Sequence, residues 1–234
     1  MQTTPWLFDE LAHAGDEHVD ATYIAGYERK ADYDPSDDVA RLRELGLGRT
    51  DTLVDLGAGT GALAVAVAPF CRRVVAVDIS APMLAVAEAR AKQRGITNLG
   101  CVRSGFLTYV HQGEPADFVC SRHALHHLPD FWKAVALVRV AAMLRPGGLF
   151  RVRDLVYSFA PSETERVLEQ WLARASQRPD IGWTRAELET HVREEYSTFT
   201  WLLEPMLERA GLEIRESEYS ESQIYAAYTC VRVP

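Results

Sequence analysis

Apolar and polar positions along the chain change period several times, and the changes mark out its elements. After Asp34-Pro35, which predict an N-cap and a first-turn proline, Val39, Leu42 and Leu45 recur at helical spacing up to Gly46 or Gly48. A short apolar run at 52–56, broken only by Asp55, predicts a buried strand with a helix over 62–68 behind it. A second strand is expected at 73–77, followed by a helix from 81 to about 94 that Ser80 caps and Gly95 ends. Short strands at 99–103 and 117–120, a helix over 131–144 closed by Arg145-Pro146-Gly147-Gly148, and a strand at 149–156 continue the alternation. Strand–helix alternation of this kind predicts βαβ units and a mostly parallel sheet. Helical periods then cover 162–177, 184–195 and 199–210, and two strand-like segments at 212–219 and 223–233 predict a closing antiparallel hairpin. The first 35 residues carry no clean period but are rich in aromatic and acidic side chains, among them Tyr23, Tyr27 and Tyr33.

Composition narrows the class. The chain has 234 residues, 47% of them hydrophobic and 25% charged, as expected of a globular domain able to bury a full core. No apolar run reaches the ~18 residues of a membrane span, and the start lacks the pattern of a signal peptide. A formal net charge of -8 argues against nucleic acid as the main partner, because phosphate binding depends on clustered cations. Cys71, Cys101, Cys120 and Cys230 are scattered without a C-x-x-C pair, which predicts reduced thiols and a cytoplasmic location.

The most informative stretch is Asp55-Leu56-Gly57-Ala58-Gly59-Thr60-Gly61, where a strand runs into alternate glycines and then a helix. Glycines allow a sharp turn and let a ligand press on bare backbone near a helix start. Gly57-x-Gly59-x-x-Ala62 also fits a dinucleotide fingerprint, and Asp78 could hold the ribose of any adenosine ligand. Asp55 separates the two readings: a buried carboxylate repels a pyrophosphate but suits a ligand with a positive amine, such as the methionine end of S-adenosylmethionine.

Val54-Asp55-Leu56-Gly57-Ala58-Gly59-Thr60-Gly61, Ala76-Val77-Asp78-Ile79-Ser80, Ala124-Leu125-His126-His127-Leu128-Pro129-Asp130 and Leu144-Arg145-Pro146-Gly147-Gly148, in this order, resemble the class I S-adenosylmethionine-dependent methyltransferases. The similarity is greatest to the small bacterial, ubiquinone-biosynthesis-like group and covers about residues 36–156. It implies a Rossmann-like, seven-stranded, mostly parallel sheet with an antiparallel C-terminal hairpin. The expected organisation is a helical lid at 1–35 and a cofactor domain at 36–234, with a helical insertion at about 157–211. The resemblance further implies S-adenosylmethionine as cofactor, held by Asp55, Gly57, Ala58, Gly59 and Gly61 at the methionine end. Asp78 would take the ribose, Ile79 and Met83 would flank the adenine, and Ser121 and Arg122 would border the sulfonium. The family usually places an acid against the adenine amine after the third strand. Here Ser104, Gly105 and Phe106 stand there instead.

The implied activity is methyl transfer to a small-molecule acceptor. His123 is the first candidate for a general base and Tyr27 the second, with Tyr23, Asp154 and Trp201 as acceptor contacts. His126 is expected to be structural. Metal ligation through His123, His126, His127 and Asp130 is not expected, because no H-E-x-x-H or carboxylate-rich pattern accompanies them. Arg151 and Arg153 read as the polar face of one strand, and the segment from Glu195 to Trp201, with Phe199 and Trp201, as an outer wall. Three other readings stay open on these residues: non-methyl chemistry at the sulfonium such as cyclisation, a nicotinamide oxidoreductase, and a non-catalytic cofactor-binding module. The oligomeric state stays open as well.

Overall fold

β1 (Thr52–Leu56) is buried along its whole length, which places it in the middle of a sheet covered on both faces. The structure, a computed structural model, describes residues 4–13 and 21–234. Around β1 stand β2 (Arg73–Asp78), β3 (Leu99–Arg103), β4 (Ala116–Arg122), β5 (Leu144–Tyr157), β6 (Thr198–Phe199), β7 (Leu212–Tyr219) and β8 (Tyr225–Arg232). The sheet order is β3-β2-β1-β4-β5-β8-β7. The first five strands are parallel, while β8 runs antiparallel to both β5 and β7. The expected seven strands are therefore present. An eighth, two-residue strand was not foreseen: β6 pairs with the end of β5 where the sequence suggested the start of a helix.

The helices are α1 (Ala21–Ala31), α2 (Ser36–Glu44), α3 (Ala62–Val67), α4 (Ala81–Gln93), α5 (Asp130–Met143), α6 (Thr164–Leu172), α7 (Arg185–Glu194) and α8 (Thr200–Arg209). Leu42 of α2, Leu63 and Val67 of α3 and Leu84 of α4 cover one face through Leu53, Val74 and Phe118. Leu137 and Val140 of α5 and Leu203 and Leu207 of α8 cover the other, against Val54, Val75 and Phe150. Alternate residues of β1 thus serve opposite faces, as strand geometry requires. A third, smaller cluster joins Val167, Trp171 and Leu172 of α6 to Leu155, Tyr157 and Ile224. It roots the insertion on the C-terminal part of β5.

Strand order reverses between β1 and β4, since β1 continues to β2 on one side and β4 to β5 on the other. A crevice opens at the carboxyl ends of strands at such a point. No helix among the described residues is long and apolar enough to cross a membrane. All four cysteines are free.

Residues 4–13 lie on the flank of the domain. Leu7 and Phe8 pack on the larger core cluster, and Phe8 meets the Trp132 and Tyr196 rings at 6.3 Å. Removing residues 1–13 strips this partly buried apolar surface, about 2–4 kcal/mol, and should lower Tm by about 5–10 °C. Cooperative unfolding should persist, because the sheet keeps both covered faces. A calorimetric scan with no cooperative transition would instead make the segment part of the core.

Candidate functional site

Leaving β1, the chain turns through Gly57, Gly59 and Gly61, whose φ angles of 72°, 52° and 72° favour glycine. A Cβ on Gly57 would overlap Ala124, and one on Gly61 would stand 2.6 Å from the Ala87 Cβ. The turn is pinned from behind: Gly57 N and Ala58 N donate to Val77 O at 2.9 and 3.1 Å. Gly59 N donates to Asp78 Oδ2 at 2.7 Å, and Ser80 N to Asp78 Oδ1 at 2.8 Å. Asp55 lies beneath, buried. Burial and the nearby Asp78 carboxylate push its carboxyl up to about 7, with the Ala64 amide pulling the other way. Among the described residues no cation pairs with it. Bare backbone in front of a buried acid that lacks a counter-charge fits a ligand carrying an ammonium group.

A cavity of about 940 Å³ opens over this turn, and Asp55, Gly57, Ala58, Gly59, Arg122 and His123 all line it. The other expected cofactor residues lie behind or beside it. Met83 is buried with its Sδ 3.5 Å from a Cβ built on Gly59, so it supports the turn from below. Gly61 begins α3, and Ser121 is buried with no hydrogen-bond partner for its Oγ. Ile79 is half-buried, and its carbonyl accepts from Arg103 Nε at 3.2 Å.

Ser104, Gly105 and Phe106 form the turn after β3, and there the structure supplies what the local sequence lacks. Phe106 N and Leu107 N donate to the two carboxylate oxygens of Glu10 at 2.7 and 3.0 Å. An acid does stand against this turn, but it comes from 96 residues upstream. Only glycine at 105 leaves room for it.

Two acceptor-side expectations need correcting. Asp154 does not face the cavity. It is 2% exposed, and its carboxylate is consumed by Leu125 N (2.7 Å), His126 N (3.2 Å), Leu155 N (2.7 Å) and His126 Nδ1 (2.5 Å). Trp201 is 56% exposed and stacks on Phe199 at 5.7 Å on the outside of α8, away from the cavity. The side chains of Tyr23 and Tyr27 lie outside the described residues.

His126 links the halves of the site. Its Nδ1 meets Asp154 and its Nε2 lies 2.9 Å from Glu195 Oε2, which also takes His191 Nδ1 at 2.9 Å. Burial works against a charge on His126, yet the two carboxylates outweigh it and push the imidazole up to about 9. Burial would raise Glu195, but His126 and His191 hold it well below the usual carboxylate range. His126, His127 and Glu195 bring their donor atoms within 4.8 Å of one another, as a metal site would. Within this cluster His126 lies between Asp154 and Glu195, and His127 Nδ1 lies 3.6 Å from Glu195 Oε2. Asp130, the further ligand weighed from sequence, turns instead to Lys133 Nζ at 2.8 Å and Thr198 Oγ1 at 3.1 Å.

His123 stands at the end of β4 with φ 50°, its N–H bonded to Arg153 O at 2.8 Å and its ring 5.5 Å from Tyr225. Burial and the charges of Arg122, His126 and Arg153 outweigh Asp154 and bring its imidazole down to about 3. It is therefore neutral at every ordinary pH and accepts a hydrogen bond more readily than it keeps a proton.

α1 roofs the cavity. Glu28 accepts from Thr60 Oγ1 at 2.5 Å and Arg90 Nη2 at 2.7 Å, which fastens α1 to the glycine turn and α4. Lys30 pairs with Glu187 and lies 5.3 Å over the Trp183 ring, joining α1 to α7. Tyr33 donates to Asp38 at 2.7 Å beneath the Arg122 guanidinium. Beyond His123 the wall consists of Arg153, Leu155, Trp171, His191, Glu195 and Tyr225; Glu195 belongs to the outer wall expected over residues 195–201, and sequence reasoning left out the other five as site residues. Only Arg153 gave a signal, as a cation at the carboxyl end of a strand.

Residues 53–148 match the family model described as a methyltransferase domain. An uncharacterised methyltransferase of Bacillus subtilis, YcgJ, is 29% identical over 61% of this chain, and the chain spans 50% of YcgJ's own length. Among solved structures, an S-adenosylmethionine-dependent methyltransferase from Aquifex aeolicus superposes with a TM-score of 0.60 at 19% identity, covering 92% of this chain and 99% of that one. A Haemonchus contortus phosphoethanolamine N-methyltransferase, solved with phosphomonomethylethanolamine and S-adenosylhomocysteine, superposes at 0.69 and 17% identity, over 97% of this chain and 61% of that one. The matched stretch contains the glycine turn, Asp55 and Asp78. On those grounds residues 53–148 form a methyltransferase domain similar to those of the class I S-adenosylmethionine-dependent enzymes, with S-adenosylmethionine as its cofactor.

Proposed function

We propose that this chain transfers a methyl group from S-adenosylmethionine to a small-molecule acceptor, leaving S-adenosylhomocysteine. The observation that carries this is the cavity itself: one space runs from Asp55 and Gly57–Gly59 to His123, Trp171, His191 and Tyr225. Cofactor end and acceptor end share it, under the roof of α1. A volume of about 940 Å³ and partly aromatic walls suit a small molecule better than a polymer. The Haemonchus structure with a phospho-base beside the spent cofactor is in keeping with this reading.

When bound, S-adenosylmethionine supplies an electrophilic methyl on a sulfonium. In this proposal Asp55 holds its ammonium, Gly57, Ala58 and Gly59 pass along the methionine chain, and Asp78 takes the ribose. Arg122 and His123 border the reacting end. Of the expected lid at 1–35, the part from α1 to Pro35 covers the cavity of the 36–234 domain, and the insertion at about 157–211 builds the acceptor wall. Asp154 and Glu195 act at one remove, by fixing His126 and the loop that carries His123. Catalysis then rests mainly on orientation and exclusion of water. Incubation with the cofactor and a mixture of small acceptors should release S-adenosylhomocysteine. Methylthioadenosine as the main product would mean attack on a chain carbon and would overturn methyl transfer.

A pH prediction follows from Asp55. With its carboxyl near 7, a cationic ligand must expel a proton below that pH. The dissociation constant of S-adenosylhomocysteine should therefore rise toward about tenfold per pH unit below 7 and level off above it. Asp55→Asn should weaken binding at pH 8 by about tenfold or more and flatten the profile. Calorimetry giving the same pH profile for both proteins would remove Asp55 from the ammonium site.

A further inference from the structure

We infer that Arg153 anchors an anionic group, a carboxylate or a phosphate, on the acceptor. The inference rests on the small-molecule reading above and names the acceptor's chemical class. Arg122 and Arg153 are direct partners in the register of β4 and β5, and both line the cavity. Two neighbouring guanidinium groups on one wall repel each other unless each has its own counter-charge. Arg122 has one: Asp38 lies 3.6 Å away and the Tyr33 ring 4.2 Å below. Arg151, two residues back along β5, also has one in Glu218 at 3.0 Å, with Thr229 accepting at 2.9 Å. Arg153 differs from both. Its Nε is buried without a hydrogen-bond partner, and among the described residues no carboxylate pairs with its guanidinium.

The acids nearby are already committed. Asp154 serves His126 and three amides, and Glu195 serves His126 and His191. Glu28 serves Thr60 and Arg90, and Glu187 serves Lys30. The acceptor side of the cavity thus holds one cation with no internal answer. An uncompensated, partly buried charge is costly, and binding an anion of matching geometry offsets that cost. Around Arg153 stand His123, Leu155, Trp171 and Tyr225. Trp171 and Tyr225 lie 6.4 Å apart, edge to face. A neutral imidazole, an aliphatic side chain and two aromatic rings complete a pocket for a flat or compact organic anion.

The test uses full-length protein saturated with S-adenosylhomocysteine, titrated with inorganic phosphate, benzoate and neutral benzamide at pH 7.5. Calorimetry should show binding of benzoate, phosphate or both, and none of benzamide; which anion binds tells a carboxylate site from a phosphate site. Arg153→Met should weaken that binding about tenfold or more, and Arg153→Lys should keep part of it. Because the methionine variant loses an uncompensated charge, its Tm should match or exceed that of the wild type. The S-adenosylhomocysteine affinity of Arg153→Met should be unchanged. Anion binding that survives in Arg153→Met, or no anion binding at all, overturns the anchor while leaving the cofactor site intact. A loss of S-adenosylhomocysteine affinity in that variant would assign the guanidinium to the cofactor's own carboxylate, which also overturns it. Failure of the wild type to bind S-adenosylhomocysteine would instead undo the reading beneath.

Discussion

His126 is held between Asp154 at the end of β5 and Glu195 just past α7, and the acceptor half of the molecule hangs on that contact. The parallel strands alone supply a cofactor ledge and an open crevice. The insertion closes the crevice because Glu195 is drawn to a buried imidazolium, and neighbouring backbone reinforces the approach. Tyr196 N donates to His126 O at 2.9 Å, Lys133 Nζ donates to Tyr196 O, and Thr198 adds a short parallel pairing to β5. Breaking one side of a buried pair leaves an uncompensated charge, so these carboxylates stabilise each other's partner as much as their own. Asp154 also caps the turn that carries Leu125 and His126, which sets the exit angle of His123 from β4. One set of ion pairs therefore fixes both the wall and the turn that follows His123.

What the sequence made legible was local. Alternate glycines after a strand, an acid at the end of the next strand, and Pro-Gly-Gly after a helix are backbone demands written within a few residues. They led to β1, β2 and the cofactor turn. Contacts that join distant segments left no such mark. Glu10 reaches the turn after β3, Glu28 reaches Thr60 and Arg90, and Glu195 reaches His126, all across long separations. A lone glutamate in an aromatic or helical stretch looks the same whether it meets solvent or a buried amide. Asp154 was misplaced for a related reason: its position at a strand end gave the correct edge of the sheet, but alternation cannot say whether neighbouring amides will consume the carboxylate. Trp201 failed through helix phase. Pairing of Thr198 and Phe199 with β5 moved the helix start to Thr200, and Trp201 came to lie on the outer side.

The two ends of the cavity are charged in opposite senses. At the cofactor end burial and the Asp78 carboxylate raise the cost of ionising Asp55. At the acceptor end Arg122 and Arg153 stand side by side on adjacent strands. A fold selected for stability alone would have mixed these charges or replaced them with apolar groups, as it does one layer deeper with Val54, Val75 and Val119. Like charges kept together in a covered crevice mark positions where stability has been given up for ligands of opposite sign. The segregation also orders binding. A cation is attracted to the ledge under α1 and an anion to the wall beyond it, so each ligand improves the electrostatic setting of the other across a short gap. His123 stands in that gap, neutral and fixed by Arg153 O.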